Sequence, residues 1–288
     1  MFLATLASGV VLAAGGAAAG VALDRGGYSP LASLGLEPDL SPTAKAEPPA
    51  LAYPNGRPVP VELPSAQSYF GKFEIPRLTR IRVPHGEISS LPGNRGLVAL
   101  TVDDGASAET IKGYCDFVER TGFRMTFFIT SMYSGWDANK KQLRRLVEAG
   151  NIQLANHTTT HEMLTKLSDS GIASQLAGCE QYLRNTFGVS GHPYYRPPFG
   201  TYDERVMRVA SSEGYSTPVL WYGTFGDAGR IPPGRVRQLA KRWLQREHIV
   251  IGHANFPPVV QVLDYVESVL HERKLQPVTL DDIYVRSA

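Results

Sequence analysis

The chain has 288 residues, of which 43% are hydrophobic and 19% are charged, so it is long enough to form one substantial core. Its 29 basic and 27 acidic residues give a net charge of +2, and this balance makes no case for nucleic acid as a partner. The two cysteines, Cys115 and Cys179, lack the CxxC spacing of a zinc knuckle. A disulfide between them is one interpretation, and two buried free thiols are the simpler one.

The N-terminal segment is apolar and uncharged. Residues 2–23 are rich in Ala, Gly, Val and Leu, and Asp24 and Arg25 end the run. A helix of this length is about long enough to cross a bilayer. The segment also fits an export signal with a small-residue cleavage site at 17–19, although no basic residue precedes the run. We therefore expect residues 1–25 to be a membrane anchor or a signal, with the rest of the chain outside the cytoplasm, anchored or secreted to the cell envelope.

The next segment, residues 26–68, is rich in Pro, Gly and Ala and contains nine prolines. Its few bulky apolar residues follow neither a helical nor a strand period, which is typical of a partly extended linker. Alternating patterns at 72–76 and 79–83 then predict short strands. They lead into a domain that we expect to span residues 69–288.

From residue 96 onward, short apolar runs alternate with amphipathic segments. The predicted strands are 97–102, 125–129, 152–155, 218–221 and 249–251, and the predicted helices are 108–121, 139–149, 168–187, 204–213, 232–246 and 259–274. Repeated β-then-α units predict a mostly parallel sheet covered by helices, either open or closed as a barrel. In such folds the active site lies at the carboxyl ends of the strands, so chemically active residues should follow these runs.

Two adjacent carboxylates end the first of these strands. Asp103 and Asp104 follow residues 97–102, and Gly105 comes next. Because side chains alternate along a strand, the two carboxylates point in different directions unless the chain bends, and Gly105 permits a bend. A strand followed by a polar turn would produce the same pattern. The pair becomes informative through the residues found at the other strand ends.

Two histidines, His157 and His161, follow the strand at 152–155. If the segment makes a helical turn, they lie on one face and are close enough to bind one metal ion. No glutamate follows His157, so this is not the HExxH signature of zinc proteases. Surface histidines at this spacing are common, so the pair alone is weak evidence for a metal site. With a carboxylate from a neighbouring strand end, two imidazoles and one carboxylate would leave open positions on Zn²⁺ or another divalent ion.

A Pro-rich loop comes next. Arg196 is followed by Pro197, Pro198, Phe199 and Gly200, and the two prolines fix the backbone and remove two N–H groups. The loop could present the Phe199 N–H to an oxyanion, and Arg196 could orient a carboxylate. An ordinary turn with a surface arginine is the alternative interpretation.

The last two strand ends carry a carboxylate and a histidine. The strand at 218–221 ends on Trp221 and is followed by Asp227, and His253 follows the strand at 249–251. His253 could be a core residue, or a general acid near neutral pH if a carboxylate such as Asp227 holds its other ring nitrogen.

Together these pieces resemble the polysaccharide deacetylase family (carbohydrate esterase family 4), which includes chitin and peptidoglycan N-acetylglucosamine deacetylases. The family's ordered motifs appear at 101–105 (Thr-Val-Asp-Asp-Gly), 157–161 (His-x-x-x-His), 196–200 (Arg-Pro-Pro-Phe-Gly), 221–227 and 249–253. The first three are specific in combination, and the last two are looser. The resemblance covers residues 96–288 and implies an α/β fold, a distorted (β/α) barrel.

The resemblance implies a role for each matching residue. Asp103 would be the general base, held by Arg196, and Asp104, His157 and His161 would bind a divalent metal. Zn²⁺ is the expected ion, with Co²⁺, Mn²⁺ or Ni²⁺ as alternatives. The remaining roles are His253 as general acid tuned by Asp227, the Phe199 N–H as oxyanion donor, and Tyr195, Pro198 and Trp221 as substrate contacts.

The resemblance also implies the substrate. We expect hydrolysis of N-acetyl groups from GlcNAc-containing polysaccharide such as cell-wall peptidoglycan or chitin-like oligomers, with the membrane as a second partner if the N-terminal segment is retained. O-deacetylation of a polymer such as acetylxylan and a non-catalytic glycan-binding role are the alternatives. Three positions depart from the family pattern: Ala228 replaces a tryptophan of the sugar pocket, Thr224 stands where an aspartate is frequent, and Phe199 replaces a tyrosine.

Overall fold

The structure is a computed structural model that describes residues 78–93 and 95–286. The predicted N-terminal anchor or signal, the linker and the short strand at 72–76 therefore lie outside the described residues. Within the described ranges, no helix is both long enough and apolar enough to span a membrane.

The described part of the chain contains ten strands and eight α-helices. The strands are β1 (Ile81–Arg82), β2 (Leu97–Asp104), β3 (Met125–Ile129), β4 (Ile152–Asn156), β5 (Tyr194–Tyr195), β6 (Thr217–Pro218), β7 (Gly223–Thr224), β8 (Ile249–His253), β9 (Gln276–Pro277) and β10 (Tyr284–Val285). The helices are α1 (Ala108–Thr121), α2 (Gly135–Ala138), α3 (Lys140–Glu148), α4 (Asp169–Phe187), α5 (Glu204–Ser212), α6 (Pro233–Trp243), α7 (Leu263–Glu272) and α8 (Leu280–Ile283).

The main sheet is parallel and runs in the order β6-β5-β4-β3-β2-β8-β7, with β9 added beside the start of β2. Its two edge strands, β6 and β7, are consecutive in the chain and are joined by residues 219–222. Laid flat, seven strands spaced about 4.8 Å apart would hold the edges roughly 29 Å apart. The connection spans at most about 17 Å. The sheet must therefore curl, and the predicted distorted (β/α) barrel is confirmed.

Strand β2 lies at the centre of this sheet, between β3 and β8, and all eight of its residues are buried. Parallel strands that are covered on both faces have nearly continuous apolar sequences, which explains the apolar run at residues 97–102. Val98, Leu100 and Val102 pack with the core beneath the outer helices, whereas Leu97 and Ala99 belong to the core inside the curl. Because side chains alternate, Asp103 shares the inner face with Leu97 and Ala99.

Local sequence signals explain the helix boundaries. The hydroxyl of Ser107 accepts from the N–H of Thr110 at the start of α1, and Gly122 takes a left-handed conformation at its end, so the helix has the predicted bounds. Helix α4 is capped in the same way by Ser168 and Gly188. The predicted helix 259–274 begins instead as a 3₁₀ helix over Pro257–Val262, and α7 starts at Leu263.

One predicted strand needs correction, and the question of the two cysteines is settled. The strand predicted at 218–221 is only Thr217–Pro218, because Val219 and Leu220 donate their N–H groups to the carbonyls of Tyr195 and Ile88 and then leave the sheet. Cys115 and Cys179 are both buried and unpaired, which confirms the free-thiol interpretation.

Candidate metal centre and catalytic site

One carboxylate and two imidazoles converge at the carboxyl ends of β2 and β4. Nε2 of His157 lies 3.3 Å and Nε2 of His161 lies 3.2 Å from Asp104 Oδ1, and the three ligand atoms all lie within 4.8 Å of one another. Asp104 Oδ1 is buried and has no hydrogen-bond partner among the described residues. Tetrahedral Zn²⁺, with bonds of about 2.0–2.1 Å, separates its ligand atoms by roughly 3.3–3.4 Å. The donor set therefore fits such an ion and leaves a coordination position open.

The charges of this cluster favour an ionised Asp104. Burial alone would raise the pKa of Asp104, but the nearby imidazoles of His157, His253 and His161 hold that pKa well below its usual range. Burial lowers the pKa of His157, and Asp103 and Asp104 outweigh burial and raise it. Burial lowers the pKa of His161, and the neighbouring His157 adds to this effect. An anionic oxygen between two imidazoles is a suitable set of ligands for a divalent cation.

The bend that separates the two carboxylates begins at Asp104 itself. Asp104 has a φ of +73° and Gly105 a φ of +115°. A Cβ at Gly105 would lie only 2.1 Å from Nε1 of Trp136, which donates a hydrogen bond of 2.7 Å to the Asp104 carbonyl. The buried indole therefore needs a glycine at position 105, and its hydrogen bond holds the bend at Asp104 in place.

The histidine loop is not the helical turn that the spacing suggested. After β4 the chain takes left-handed conformations at Thr158 and His161, with φ of +74° and +60°. The side chain of Asn156 accepts from the N–H of Thr158 at 2.8 Å, and the hydroxyl of Thr158 accepts from the N–H of His161 at 3.1 Å. These side-chain hydrogen bonds replace the bonds of a helix and bring the two rings to a centroid separation of 4.8 Å.

The tautomer of His157 follows from its partner. Nδ1 of His157 lies 2.7 Å from the carbonyl oxygen of Arg196. A carbonyl can only accept, so Nδ1 carries the proton and Nε2 presents its lone pair toward Asp104 and His161. This is the orientation that a metal-binding imidazole requires.

Arg196 is wholly buried inside the curl, where it pairs with Asp103. Its Nη1 donates to Asp103 Oδ1 at 2.5 Å and to Thr101 Oγ1 at 2.9 Å, and its Nε donates to the Val219 carbonyl at 2.8 Å. The other carboxylate oxygen of Asp103 lies 3.5 Å from His157 Nε2. Asp103 is thus fixed at one oxygen by the guanidinium, while its second oxygen faces the metal-ligand cluster.

His253 lies on the neighbouring strand β8, opposite Asp103 in the register. Asp227 binds it twice: Oδ1 lies 3.1 Å from the ring Nδ1, and Oδ2 accepts from the backbone N–H at 3.0 Å. Burial lowers the pKa of His253, but Asp227, with smaller contributions from Asp104 and Asp103, raises this pKa to about 9. His253 is therefore a cationic acid at neutral pH, with Nδ1 held by a carboxylate and Nε2 left to donate.

Sequence reasoning missed Asn255, which follows His253 by two residues. Its Nδ2 donates to Asp104 Oδ2 at 2.6 Å, and its Oδ1 accepts from the N–H of Ala106 at 3.3 Å. Asp104 therefore has one oxygen held by Asn255 and the other facing the histidines. The only signal in the sequence was a polar residue just beyond a strand end.

The predicted substrate contacts are not all at the surface. Tyr195 is fully buried and packs against Tyr215, and Pro198 is buried as well. Phe199, by contrast, is 61% exposed and stacks edge-on against His161 at 4.8 Å. Trp221 is half-buried, with its ring 5.7 Å from the Arg196 guanidinium. The exposed apolar rim beside the cluster is therefore formed by Phe199.

Backbone strain is concentrated at this site. Among the described residues, six that are not glycine have a positive φ, and four of these belong to the site: Asp104, Thr158, His161 and Phe199. Such conformations cost roughly 1–3 kcal/mol each and persist only where the surrounding structure enforces them. The clustering supports a functional origin for this arrangement.

The fold and the site define a curled parallel α/β sheet with a three-residue candidate metal site at the carboxyl ends of its strands. Residues 90–218 match the family model described as polysaccharide deacetylase. Within these residues the chain therefore carries a polysaccharide deacetylase domain.

Several known proteins are similar to part of this chain. An uncharacterized protein of Streptomyces coelicolor is 33% identical over 135 residues, which is 47% of this chain and 52% of that protein. A chitooligosaccharide deacetylase of Bradyrhizobium is 25% identical over 181 residues, or 63% of this chain and 79% of that protein. Among solved structures, a family 4 pseudoenzyme from Bacillus anthracis has a TM-score of 0.62 at 20% identity and covers 72% of each chain. The match spans about half the length of the Streptomyces relative.

Proposed function

We propose that this protein is a metal-dependent hydrolase that removes acetyl groups from N-acetylated sugars of a polysaccharide, of the peptidoglycan or chitin type. The observation that carries the proposal is one juxtaposition at a single sheet edge. Asp103, fixed by Arg196, lies beside the cluster of Asp104, His157 and His161, and the cationic His253 lies on the adjoining strand. A base, a cation site and an acid are the three elements needed for hydrolysis of an amide.

The roles follow from the contacts. A divalent ion held by Asp104, His157 and His161 would act as a Lewis acid that activates the acetyl carbonyl and makes water more acidic. Asp103 presents one free carboxylate oxygen toward this cluster and would accept the proton of the attacking water. Because Arg196 holds the other oxygen, the base cannot rotate away. The backbone N–H of Phe199 is proposed as the donor to the developing oxyanion.

His253 would complete the reaction. The amine of a sugar is a poor leaving group until it is protonated, so hydrolysis of the amide needs a proton donor on the leaving side. Asp227 keeps His253 protonated at neutral pH and restrains its ring through Nδ1. Nε2 of His253 can then deliver the proton to the departing amine. Acetate is released, and the polysaccharide retains a free amino group.

We further propose that the substrate is an extracytoplasmic polymer. The support is the apolar, uncharged run at residues 2–23, which fits an export signal or an anchor. The exposed Phe199 ring beside His161 offers a flat apolar surface for one face of a sugar.

The test is release of acetate from peptidoglycan, chitin oligomers and acetylxylan side by side, each with and without a chelator. We expect release from the two N-acetylated polymers, loss of release with chelator and recovery after Zn²⁺ is restored. Release from acetylxylan alone would replace the proposal by O-deacetylation. No release from any polymer, with metal bound stoichiometrically, would show a non-catalytic glycan-binding protein.

A further inference from the structure

Helix α6 and its two ends form a strongly basic surface. Residues 228–246 contain no acidic residue and six basic ones, namely Arg230, Arg235, Arg237, Lys241, Arg242 and Arg246. Five of the six are exposed, and Arg235 is half-buried. Their combined charge exceeds the net charge of +2 for the whole chain, so the remainder of the chain is net negative. We call this surface the α6 basic face.

The cations of the α6 basic face are not neutralised by ion pairs with the described carboxylates. Within residues 78–93 and 95–286, many arginines and lysines outside this face form ion pairs: Lys112, Arg120, Arg124, Arg145, Arg184, Arg196, Arg205, Arg208 and Arg286. None of the six cations of the α6 basic face forms an ion pair with a carboxylate of those residues. This difference leaves the six positive charges available to an external anion.

The two carboxylates that border the face in sequence are engaged elsewhere. Asp227 binds His253 through both of its oxygens. Glu247 Oε1 accepts from the backbone N–H groups of Arg95 and Gly96 at 2.7 and 2.9 Å. Neither carboxylate forms an ion pair with an arginine or lysine among the described residues.

Helical spacing directs the charges outward. Val236 and Ala240 are buried against the core, which fixes the rotation of α6. Arg237 and Lys241 are one turn apart on the exposed side, and Arg242 continues the basic row. The helix has 11 residues and is about 16 Å long, so the positive charge forms a strip and not a point.

The strip begins beside the candidate catalytic site. The guanidinium of Arg230 lies 5.6 Å from the ring centroid of Phe256. Phe256 follows Asn255, whose side chain binds Asp104. Because Arg230 at one end of the face lies near the site, a polymer whose sugar occupies the site can present its neighbouring anionic groups to the face.

We propose that the α6 basic face binds an anionic polysaccharide, with carboxylate or phosphate groups along the chain, whose acetylated sugars enter the neighbouring site. This inference rests on the proposed function for the identity of the reacting sugar. Clusters of unpaired Arg and Lys attract polyanions, and the attraction weakens as salt rises. The face would thus select charged over neutral acetylated polymers.

The test compares two labelled octasaccharides by fluorescence anisotropy with the full chain. Hyaluronan supplies N-acetylglucosamine alternating with a carboxylate sugar, and a chitin octamer supplies the same sugar without charge. The variant Arg237→Gln/Lys241→Gln removes two charges from the face. The matched control Lys140→Gln/Lys141→Gln removes two charges at the start of α3, where neither lysine forms an ion pair among the described residues.

We expect the wild-type chain to bind hyaluronan more tightly than chitin, with affinity that falls as salt rises. The face variant should weaken hyaluronan binding about fivefold, consistent with exposed charge pairs, and the control should leave it unchanged. Chitin binding and the release of acetate from chitin should be the same in all three proteins. Failure of the proposed function would instead appear as absent acetate release while hyaluronan binding remains.

Two results would overturn the inference. One is equal binding of hyaluronan by the face variant and the wild-type chain. The other is a wild-type chain that shows no preference for hyaluronan over chitin but binds phosphatidylglycerol vesicles, with the vesicle binding lost in the face variant. That result would make the face a membrane contact.

Discussion

The side-chain amide of Asn255 donates to Asp104 Oδ2 at 2.6 Å, while Asp104 Oδ1 faces the two histidines without any hydrogen bond among the described residues. The two oxygens of one carboxylate thus have separate partners. Asn255 fixes the carboxylate plane and leaves a single oxygen directed at the candidate metal site. Asn255 is a positioning residue in this arrangement, because it acts on the site through Asp104.

We predict that Asn255→Ala weakens Zn²⁺ binding by about 10- to 100-fold, as loss of a hydrogen bond to a ligand typically does. Isothermal titration calorimetry measures this constant without reference to turnover. The matched control is Gln142→Ala, which removes an exposed amide bound to Asp116 and should leave the constant unchanged. An unchanged Zn²⁺ affinity in Asn255→Ala would mean that Asn255 only stabilises its own loop and does not position the metal ligand.

The metal-ligand assignment predicts that His157→Ala and Asp104→Ala each lose stoichiometric Zn²⁺ and acetate release together. Each substitution leaves two donors where a structural or catalytic zinc site needs at least three from the protein. Metal content by atomic absorption after dialysis is the measurement, with the exposed His85→Ala as the control. Retention of one zinc per chain by either ligand variant would refute the assignment.

The pair of His253 and Asp227 predicts a specific pH dependence. His253 acts as an acid only while protonated, so the rate should fall as pH rises through its pKa of about 9. Asp227→Asn removes the main cause of the raised pKa, and the alkaline limb should move below about pH 7. Metal affinity should stay unchanged in Asp227→Asn. A separate variant, His253→Ala, should retain the metal and lose about 10²- to 10⁴-fold in rate. An alkaline limb that does not move in Asp227→Asn would remove His253 as the acid.

The buried pair of Arg196 and Asp103 predicts a large effect on stability. Arg196→Ala leaves Asp103 buried without its cation and should lower the free energy of unfolding by about 3–5 kcal/mol. Urea denaturation measures the change. Arg208→Ala, which breaks an exposed pair with Asp169, should cost less than about 1 kcal/mol. Equal effects of the two substitutions would show that the buried pair contributes no more than a surface pair.

The fold was largely predictable because it depends on patterns that repeat. Apolar runs and amphipathic segments alternate through the domain, and the boundaries of α1 follow from Ser107 and Gly122, whose roles are local. The convergence of Asp104 and His157 was predictable too, because parallel strands bring their carboxyl ends to one edge. The family resemblance added the roles, which spacing alone does not provide.

The remainder depends on contacts between distant segments. The histidine loop takes its shape from Asn156 and Thr158 side chains, and a spacing of four cannot distinguish that loop from a helical turn. Tyr195 lies next to Arg196 in sequence but is buried on the side of Tyr215, which no local pattern shows. The contact of Asn255 with Asp104 depends on the pairing of β8 with β2, which no local pattern shows.

The left-handed backbone at Asp104 restricts which residues can replace it. A φ of +73° is tolerated by Asp and Asn and is unfavourable for longer side chains. Glutamate keeps the charge but adds a methylene and loses this tolerance, so Asp104→Glu is not a conservative change here. Asn keeps the backbone and the shape while removing the charge. Position 104 is therefore limited to aspartate by two independent demands, one from the chain and one from the cation.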